Sequence, residues 1–264
     1  MSFPRLASVA TRASSARSAF VAPVTSSARF ASVAPLALCV ILGACAIENR
    51  SPDRPSRNGP VAPARINAND AIATGTQSDA DTLLVDVQAL DSTIRVDLRY
   101  RDAGNFTGAP LPGYDANRAY LHRDAAAALA RVQAHLRTQG LGLLVYDAYR
   151  PVRATLAMVA WADSIGRADL ITDGYIADRS RHNLGVAIDC TLVDLATGEP
   201  LDMGTPFDTF DSTAHTANAR SSVAEHRLRF VTAMASEGFV NYDREWWHFS
   251  YTVSPVLRFD VPVR

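Results

Sequence analysis

One stretch organises this sequence: Ser180-Arg181-His182-Asn183-Leu184-Gly185-Val186-Ala187-Ile188-Asp189. His182 lies in the loop that enters a predicted strand, residues 184–192, and Asp189 lies on that strand. Both side chains can therefore meet at the mouth of the strand. Gly185 lies between them and permits a close backbone approach or an unusual turn. The stretch predicts a functional site where a loop enters a buried strand.

A second stretch, Glu245-Trp246-Trp247-His248, supplies another histidine and a carboxylate. Residues three apart cannot share a face of a regular strand but do so on a turn, so we expect irregular backbone at 244–247. His182, His248 and Asp189 together offer two neutral imidazoles and one carboxylate. This set suits a catalytic Zn²⁺, although other divalent metals accept it too. The glutamate would then reach a metal-bound water rather than the metal.

Each of these side chains also has a structural explanation. Asp189 alone could cap a turn, and Trp246 and Trp247 are better suited to fill a core than to bind a metal. A lone histidine is more often solvated or capping than a ligand, and we interpret four of them that way: His122, His135, His215 and His226. Short motifs also match by chance, so spacing alone leaves both explanations open.

Length and charge narrow the class of protein. A chain of 264 residues could form one large domain or two small ones. All 26 basic residues are arginine; four precede residue 45, and the other 22 accompany 27 acidic residues. This mildly acidic balance argues against nucleic acid as a partner and against general adhesion to anionic membranes. We find no internal repeat, no Gly-x-Ser-x-Gly elbow and no phosphate-binding glycine loop.

Residues 1–44 have the composition of a secretory signal. Arginines and no acids precede the apolar run 30–44, which is shorter than the ~20 residues of a membrane span. Leu42-Gly43-Ala44-Cys45 resembles a bacterial lipoprotein box, which implies a lipoprotein signal peptide that is removed and a lipid on Cys45. A mitochondrial or chloroplast transit peptide fits the same composition, but the position of Cys45 favours the lipoprotein signal.

The cysteines, and the residue that follows Cys45, support export and a lipid anchor. Cys39 leaves with the signal and Cys45 would carry lipid, so Cys190 is left without an intramolecular partner. Cys190 follows Asp189 directly, faces the opposite side of the strand and is expected to be buried. Ala46 is not the aspartate that retains lipoproteins at the inner membrane. We expect an exported, periplasmic protein with a lipid anchor in the outer membrane as its only membrane contact.

The rest of the chain divides at residue 82. Residues 45–81 are rich in Ser, Pro, Asn and Ala without periodicity, so we predict a disordered tether behind the lipidated cysteine. Residues 82–264 form the predicted catalytic domain. The predicted strands are 92–98, 142–146, 184–192 and 247–252; the predicted helices are 124–138, 151–165 and 219–236, the first capped by Asp124.

Two long loops separate these elements, at 100–114 and 193–218. The second exceeds the length that a compact domain usually tolerates without a functional reason. Strands interleaved with three helices, joined by hairpin-like and long connections, predict a single α+β domain with a mainly antiparallel sheet packed with helices.

Several motifs together resemble one family. Ser180-x-His182 with Gly185 and Asp189, followed by Glu245-x-x-His248, is similar to the zinc D-Ala-D-Ala metallopeptidases, which share a fold with the Hedgehog signalling domain. Further stretches resemble the D-alanyl-D-alanine dipeptidase branch: Tyr100, Asn105-Phe106-Thr107-Gly108, Gly113-Tyr114, Asp147-x-x-Arg150-Pro151 and Asp202-Met203-Gly204-Thr205-Pro206-Phe207-Asp208. The resemblance covers about residues 95–250 and implies one Zn²⁺ per chain.

The resemblance implies a role for each residue of the reaction centre. His182, Asp189 and His248 would bind Zn²⁺, which lowers the pKa of a bound water towards ~7. Glu245 would act as general base and then as general acid. Arg150 would stabilise the oxyanion on the side away from the metal.

The resemblance also implies the contacts with a small D,D-dipeptide. An aspartate at the position of Asp208 would bind its free ammonium group, with Ser180 nearby, and Tyr100 would close the amino end of the site. We also expect Asp147 to contact the substrate. The structural alternative is that Asp147 forms an ion pair with Arg150. The implied activity is hydrolysis of D-alanyl-D-alanine to two D-alanines.

Two other functions stay open. A D,D-carboxypeptidase or a peptidoglycan endopeptidase would need the amino end of the site to be open. A non-catalytic cell-wall-binding lipoprotein could keep the fold, although it would need neither Glu245 nor Arg150. The oligomeric state and the physiological role do not follow from the sequence.

Overall fold

The computed structural model of the protein describes residues 72–264. The predicted signal peptide, Cys45 and the predicted tether up to residue 71 lie outside the described residues. The described residues all belong to one compact unit. Among them, no helix combines the length and the apolar character that crossing a bilayer requires.

The described chain forms two sheets and six α-helices. In chain order these are α1 Gln77–Leu83, β1 Leu84–Asp86, α2 Val87–Leu90, β2 Arg95–Val96, β3 Tyr120–His122, α3 Arg123–Arg137, β4 Leu141–Asp147, α4 Val152–Ser164, α5 Asp169–Thr172, β5 Ala187–Asp194, α6 Ser221–Ser236, β6 Val240–Asn241 and β7 His248–Ser250. Short 3₁₀ turns lie at Arg99–Arg101, Arg181–Leu184 and Ser212–Ala214.

The larger sheet has the strand order β2-β4-β5-β7-β6, and β1 pairs with β3 in a separate two-stranded sheet. Within the larger sheet β2 and β4 are parallel, and the other neighbours are antiparallel. Helices pack against a mainly antiparallel sheet, so the predicted α+β class is confirmed.

The two central strands are buried on both faces. Every residue of β4 is buried, and so is every residue of β5 except the last. Gln133 of α3 lies in this core without exposure. Its side chain accepts from the backbone N–H of Leu143 at 2.9 Å and donates to the hydroxyl of Thr93 at 2.9 Å. A buried amide whose partners are both satisfied fixes α3 against β4.

The helices predicted from 3.6-residue periodicity are present, but the first has a different cap. β3 runs directly into α3, so Asp124 is already inside the first turn. His122 occupies the cap position, and its Nδ1 accepts from the backbone N–H of Asp124 at 3.3 Å. The predicted capping role of Asp124 is therefore wrong, because a strand rather than a loop precedes the helix.

The predicted strands differ from the observed ones mainly at their ends. The predicted strand 92–98 is reduced to Arg95–Val96, because Asp91 and Thr93 form a side-chain turn before it. The predicted strand 184–192 begins only at residue 187. A 3₁₀ turn precedes it and ends at Gly185, whose φ of 66° belongs to the left-handed region that glycine tolerates.

The folded part begins before the predicted boundary at residue 82. Thr76 caps α1 in a reciprocal arrangement with Asp79, in which each side chain accepts from the other residue's backbone N–H. The backbone of Ala73 and Gly75 is hydrogen-bonded to Arg258. The polar composition of this segment did not indicate that it is folded. Its hydrogen-bond partners lie near the other end of the chain, where local sequence cannot reveal them.

Candidate active site

Three titratable side chains lie on one rung of the larger sheet. The register pairs Asp147 of β4 with Asp189 of β5, and pairs Asp189 with His248 of β7. Directly opposed residues of antiparallel strands project to the same face. The sheet therefore brings together Asp189 and His248, which are 59 residues apart in the chain.

His182 joins this rung from the 3₁₀ turn that precedes β5. Its Nε2 lies 3.2 Å from His248 Nδ1 and 3.4 Å from Asp189 Oδ1, and the last two atoms are 2.9 Å apart. Ligands at about 2.0–2.1 Å from a tetrahedral Zn²⁺ lie about 3.3 Å from one another. The three atoms therefore have the mutual spacing of ligands to a single cation.

The protonation of these groups also fits a cation. His182 Nδ1 lies 2.6 Å from the carbonyl oxygen of Ala148, which orients that nitrogen as the donor and leaves Nε2 with its lone pair. Burial lowers the pKa of His248 and favours its neutral form. Burial would raise the pKa of Asp189, but His182 and His248 outweigh it and hold that pKa below its usual range.

Glu245 lies beside the three ligand candidates on a turn. The backbone N–H of His248 donates to the carbonyl of Glu245 at 3.2 Å, and the N–H of Glu245 donates to Tyr242 at 3.0 Å. This turn is the irregular backbone that the spacing predicted. Glu245 Oε2 lies 3.8 Å from His248 Nδ1. Burial, followed by the negative charges of Asp189 and Asp208, raises the pKa of Glu245 well above its usual value.

Arg150 is fixed on the other side of the same centre. Its Nε donates to Asp147 Oδ2 at 2.9 Å. Its Nη2 forms an ion pair with the same oxygen at 2.7 Å and lies 3.7 Å from Asp189 Oδ2. The guanidinium carbon lies 5.0 Å from the ring centroid of Tyr100, in cation–π geometry. The fork of Arg150 is thereby aimed at the centre before any substrate arrives.

Asp147 does not reach the cavity, contrary to the prediction that it contacts substrate. Its side chain has no exposure. One carboxylate oxygen accepts from Arg150, and the other accepts from the hydroxyl of Tyr114 at 2.6 Å. The structural alternative is the one observed: Asp147 is a buried counter-charge that orients Arg150.

A cavity of about 360 Å³ opens at this centre. The other residues predicted for the reaction centre and for substrate contacts all line it: Tyr100, Arg150, Ser180, His182, Asp189, Asp208, Glu245 and His248. The Tyr100 hydroxyl donates to Asp208 Oδ1 at 3.0 Å, and Ser180 Oγ accepts from the backbone N–H of His182 at 3.2 Å. Burial, followed by the charge of Asp189, raises the pKa of Asp208 well above its usual value.

Sequence reasoning missed an aromatic wall of the same cavity. Phe210 lies 5.0 Å from Phe106 and 6.0 Å from Tyr175 between ring centroids, and all three line the cavity. Phe106 belongs to a motif that resembled the family but had no assigned role. Phe210 and Tyr175 lie in irregular segments, where no periodicity indicates which side chains face a ligand.

Comparison with known proteins assigns the chain to a family. The family model Peptidase M15, described as D-ala-D-ala dipeptidase, matches residues 80–260. The chain belongs to this family. It is therefore a metallopeptidase, and the group His182, Asp189 and His248 is its candidate metal site.

Curated relatives of this M15 peptidase include D-alanyl-D-alanine dipeptidases from three bacteria. The Enterococcus faecium protein is 38% identical over 188 residues, which cover 65% of this chain and 93% of that protein. The Streptomyces coelicolor protein is 37% identical over 194 residues, covering 67% and 96%. The Escherichia coli protein is 35% identical over 170 residues, covering 64% and 84%.

Solved structures resemble the M15 peptidase only distantly. The D,D-dipeptidase VanXYg, in complex with a D-Ala-D-Ala phosphinate analogue, is 20% identical with a TM-score of 0.36, covering 66% of this chain and 68% of that one. VanYB in complex with D-alanine-D-alanine is 14% identical with a TM-score of 0.34, covering 53% and 76%. Scores this low carry no inference about the site.

Proposed function

We propose that this enzyme hydrolyses D-alanyl-D-alanine to two D-alanines in a zinc-dependent reaction. The observation that carries the proposal is the convergence of three ligand atoms, Glu245 and Arg150 in one cavity. Relatives named D-alanyl-D-alanine dipeptidases support this choice of substrate.

His182, Asp189 and His248 would hold the Zn²⁺. When bound there, the cation supplies Lewis-acid polarisation of the scissile carbonyl and acidifies a water molecule. Glu245 then takes the proton of the attacking water and passes it to the leaving amine. Its burial suits this task, because a raised pKa makes a carboxylate a better proton acceptor and, once protonated, a competent donor.

Arg150 stabilises the negative charge that develops on the carbonyl oxygen. Arginine stays charged at any relevant pH, and its contacts with Asp147 and Tyr100 fix its direction beforehand. A preorganised positive charge costs no rearrangement in the transition state, which is why such groups contribute strongly to catalysis.

Asp208, Tyr100 and Ser180 select a free dipeptide. The carboxylate of Asp208 is the natural partner for the substrate ammonium group, and the Tyr100 hydroxyl fixes its orientation. The same pair closes the amino end, which a D,D-carboxypeptidase or endopeptidase would leave open for an acylated chain. A wall-binding lipoprotein without catalysis would have no use for the buried Glu245 beside the metal site.

The purified enzyme tests this proposal on free D-Ala-D-Ala and on its N-acetylated form. We expect hydrolysis of the free dipeptide, loss of activity with a chelator, and recovery on addition of Zn²⁺. A preference for the acetylated form would contradict the dipeptidase assignment, and activity that survives complete metal removal would contradict the metal.

We also propose export to the periplasm and anchoring in the outer membrane through a lipid on Cys45. The support is the sequence alone: the apolar run 30–44, the box that ends at Cys45 and the alanine after it. Labelled palmitate should enter the wild-type protein and not a Cys45→Ala variant. Equal labelling of both would rule out this anchor.

A further inference from the structure

Arg227 of α6 is buried, and its guanidinium group binds backbone oxygens in the connection between β5 and α6. Nε and Nη2 donate to the carbonyl of Met203 at 2.9 and 2.6 Å. Nη1 donates to His215 at 2.7 Å, and Nη2 donates to Thr213 at 3.2 Å. One side chain thereby ties together both ends of the segment 203–215.

Arg227 makes no ion pair with an acid within the part of the chain that the structure describes. Burial lowers the pKa of Arg227, and the negative charge of Asp202 opposes that shift without forming an ion pair. The planar fork of arginine can reach several carbonyls at fixed angles, which lysine cannot do. The hydrogen bonds of Arg227 therefore all go to the backbone of the loop.

The segment 203–215, here called the selection loop, carries Asp208 at its centre. Asp208 has a φ of 60°, in the left-handed region that is uncommon for residues other than glycine. Such a conformation persists only where surrounding contacts impose it. Within the loop, regular structure is limited to the 3₁₀ turn at Ser212–Ala214. The hydroxyl of Thr209 donates to the carbonyl of Pro206 at 2.9 Å, and further contacts come from outside the loop.

Besides the hydroxyl of Tyr100, two neighbouring elements contact the first part of the loop. On the α6 side, a Cβ at Gly204 would meet a methyl carbon of Val223 at 2.8 Å, so the loop backbone lies directly against the helix next to Arg227. On the catalytic side, Trp246 Nε1 donates to Thr205 Oγ1 at 2.8 Å. The selection loop is thus clamped between α6 and the turn that carries Glu245.

We propose that Arg227 is a positioning residue for substrate selection, which holds the selection loop so that Asp208 meets the ammonium group of a free dipeptide. Arg227 does not line the cavity and acts only through the loop. The proposal rests on the proposed function, because it takes the ammonium group as the partner of Asp208.

The test is the ratio of kcat/KM for free D-Ala-D-Ala to that for the N-acetylated form, in Arg227→Met. A misplaced Asp208 weakens binding of the ammonium group in the ground state and in the transition state alike, so KM for the free dipeptide should rise more than kcat falls. We expect the ratio to fall on the order of tenfold to a hundredfold. Metal content should stay at the wild-type level.

Arg229→Met is the matched control, because Arg229 is exposed on the same helix and should leave the ratio unchanged. Arg227→Lys keeps the charge with fewer donors and should give an intermediate ratio; it replaces the methionine variant if that one does not fold. A wild-type ratio in either folded Arg227 variant overturns the proposal. Equal losses on both substrates overturn it too, because they indicate general damage.

Amide hydrogen exchange separates this proposal from the proposed function. In Arg227→Met, exchange should accelerate in residues 203–215 and stay unchanged in β7. If the wild-type enzyme does not prefer the free dipeptide, the proposed function fails, whatever the exchange shows. If it does prefer it and exchange in the loop is unchanged in the variant, positioning by Arg227 fails alone.

Discussion

The metal-ligand candidates on the sheet, Asp189 and His248, and the selection loop are held in place in opposite ways. Asp189 and His248 lie opposite each other on paired strands, so backbone hydrogen bonds of the sheet fix their separation. Asp208 lies in an irregular loop, and side chains fix its place: Tyr100, Arg227 and Trp246. The sheet therefore fixes the candidate metal ligands through its backbone, whereas side-chain contacts fix Asp208, the proposed partner of the substrate ammonium group.

This difference teaches where each property is vulnerable. A strand cannot shift its register by one residue without moving every side chain to the opposite face, so changes to the metal-ligand candidates or to the register of β5 should remove activity on every substrate. A loop can shift locally while the sheet stays intact. Changes to the loop should therefore alter the choice of substrate and leave the metal in place.

The largest effect should come from the rung itself, in Asp189→Asn. Loss of a residue that hydrogen-bonds to a metal ligand typically lowers metal affinity by up to about 100-fold. Loss of a charged ligand itself should therefore lower it by more than that. Activity on both substrates should then fall to background. Metal content after gel filtration measures the loss of metal affinity, and kinetics at limiting zinc measure the loss of activity.

Asp194→Asn is the control on the same strand. Asp194 Oδ1 accepts from the backbone N–H groups of Ala196 and Thr197 at 2.8 and 2.9 Å, and an asparagine oxygen can do the same. Full metal binding in Asp189→Asn would mean that the rung is not the metal site.

The next largest effect should follow Glu245→Gln, which keeps the size of the side chain but removes the base. General base and acid groups contribute about 10²–10⁴ in rate, so kcat should fall in that range while the enzyme keeps its metal. Glu237→Gln is the control, since Glu237 binds Arg131 at the surface. A variant that turns over at the wild-type rate with zinc bound would refute the base assignment.

A smaller and selective effect should follow Asp208→Asn on the loop. Asparagine tolerates the left-handed backbone and still accepts from Tyr100, so only the charge is lost. A hydrogen bond to a charged group contributes about 1.5–3 kcal/mol, so kcat/KM for the free dipeptide should fall by roughly ten- to a hundredfold. The N-acetylated form should be affected much less.

Asp211→Asn, elsewhere on the loop, is the matched control: Asp211 accepts from the backbone N–H of Thr213 at 2.7 Å, which asparagine can reproduce. A uniform loss on both substrates in Asp208→Asn would show that loop and rung are not separable in the way the comparison states.

The smallest effect should be on stability and concerns His122. Its backbone N–H donates to the carbonyl of Gly185 at 2.7 Å, at the end of the 3₁₀ turn that carries His182. Burial lowers the pKa of His122 below its ordinary 6.5, and its Nδ1 caps α3 only when neutral. The unfolded chain then binds more protons between the lowered pKa and 6.5. The free energy of unfolding should therefore rise with pH across that window and level off above it.

His122→Asn keeps a side-chain acceptor at the cap and removes the titration. Denaturant unfolding at several values between about pH 5 and pH 8 should show a shallower slope in this variant. The substrate ratio should be the same in both proteins. An unchanged slope would assign the pH dependence to other groups.

Much of the fold follows from local patterns. The apolar spacing of Leu129, Val132 and Leu136 predicts α3, and continuous apolar runs predict the central strands β4 and β5. These patterns are reliable because burial of one helix face or of both strand faces constrains many neighbouring residues at once. The small sheet of β1 and β3 was missed, because strands of three residues leave too short a pattern to detect.

By itself, the sequence determined the chemical inventory of the site: two imidazoles, one carboxylate, a further glutamate and an arginine. Their spacing left a metal centre open, and the resemblance to a family favoured it. Tertiary structure decided which of them meet and which do not. The strand register placed Asp189 opposite His248, while burial withdrew Asp147 from the cavity and made it the partner of Arg150 and Tyr114. Local spacing specifies backbone over a few residues, but contacts between distant segments depend on how whole elements pack.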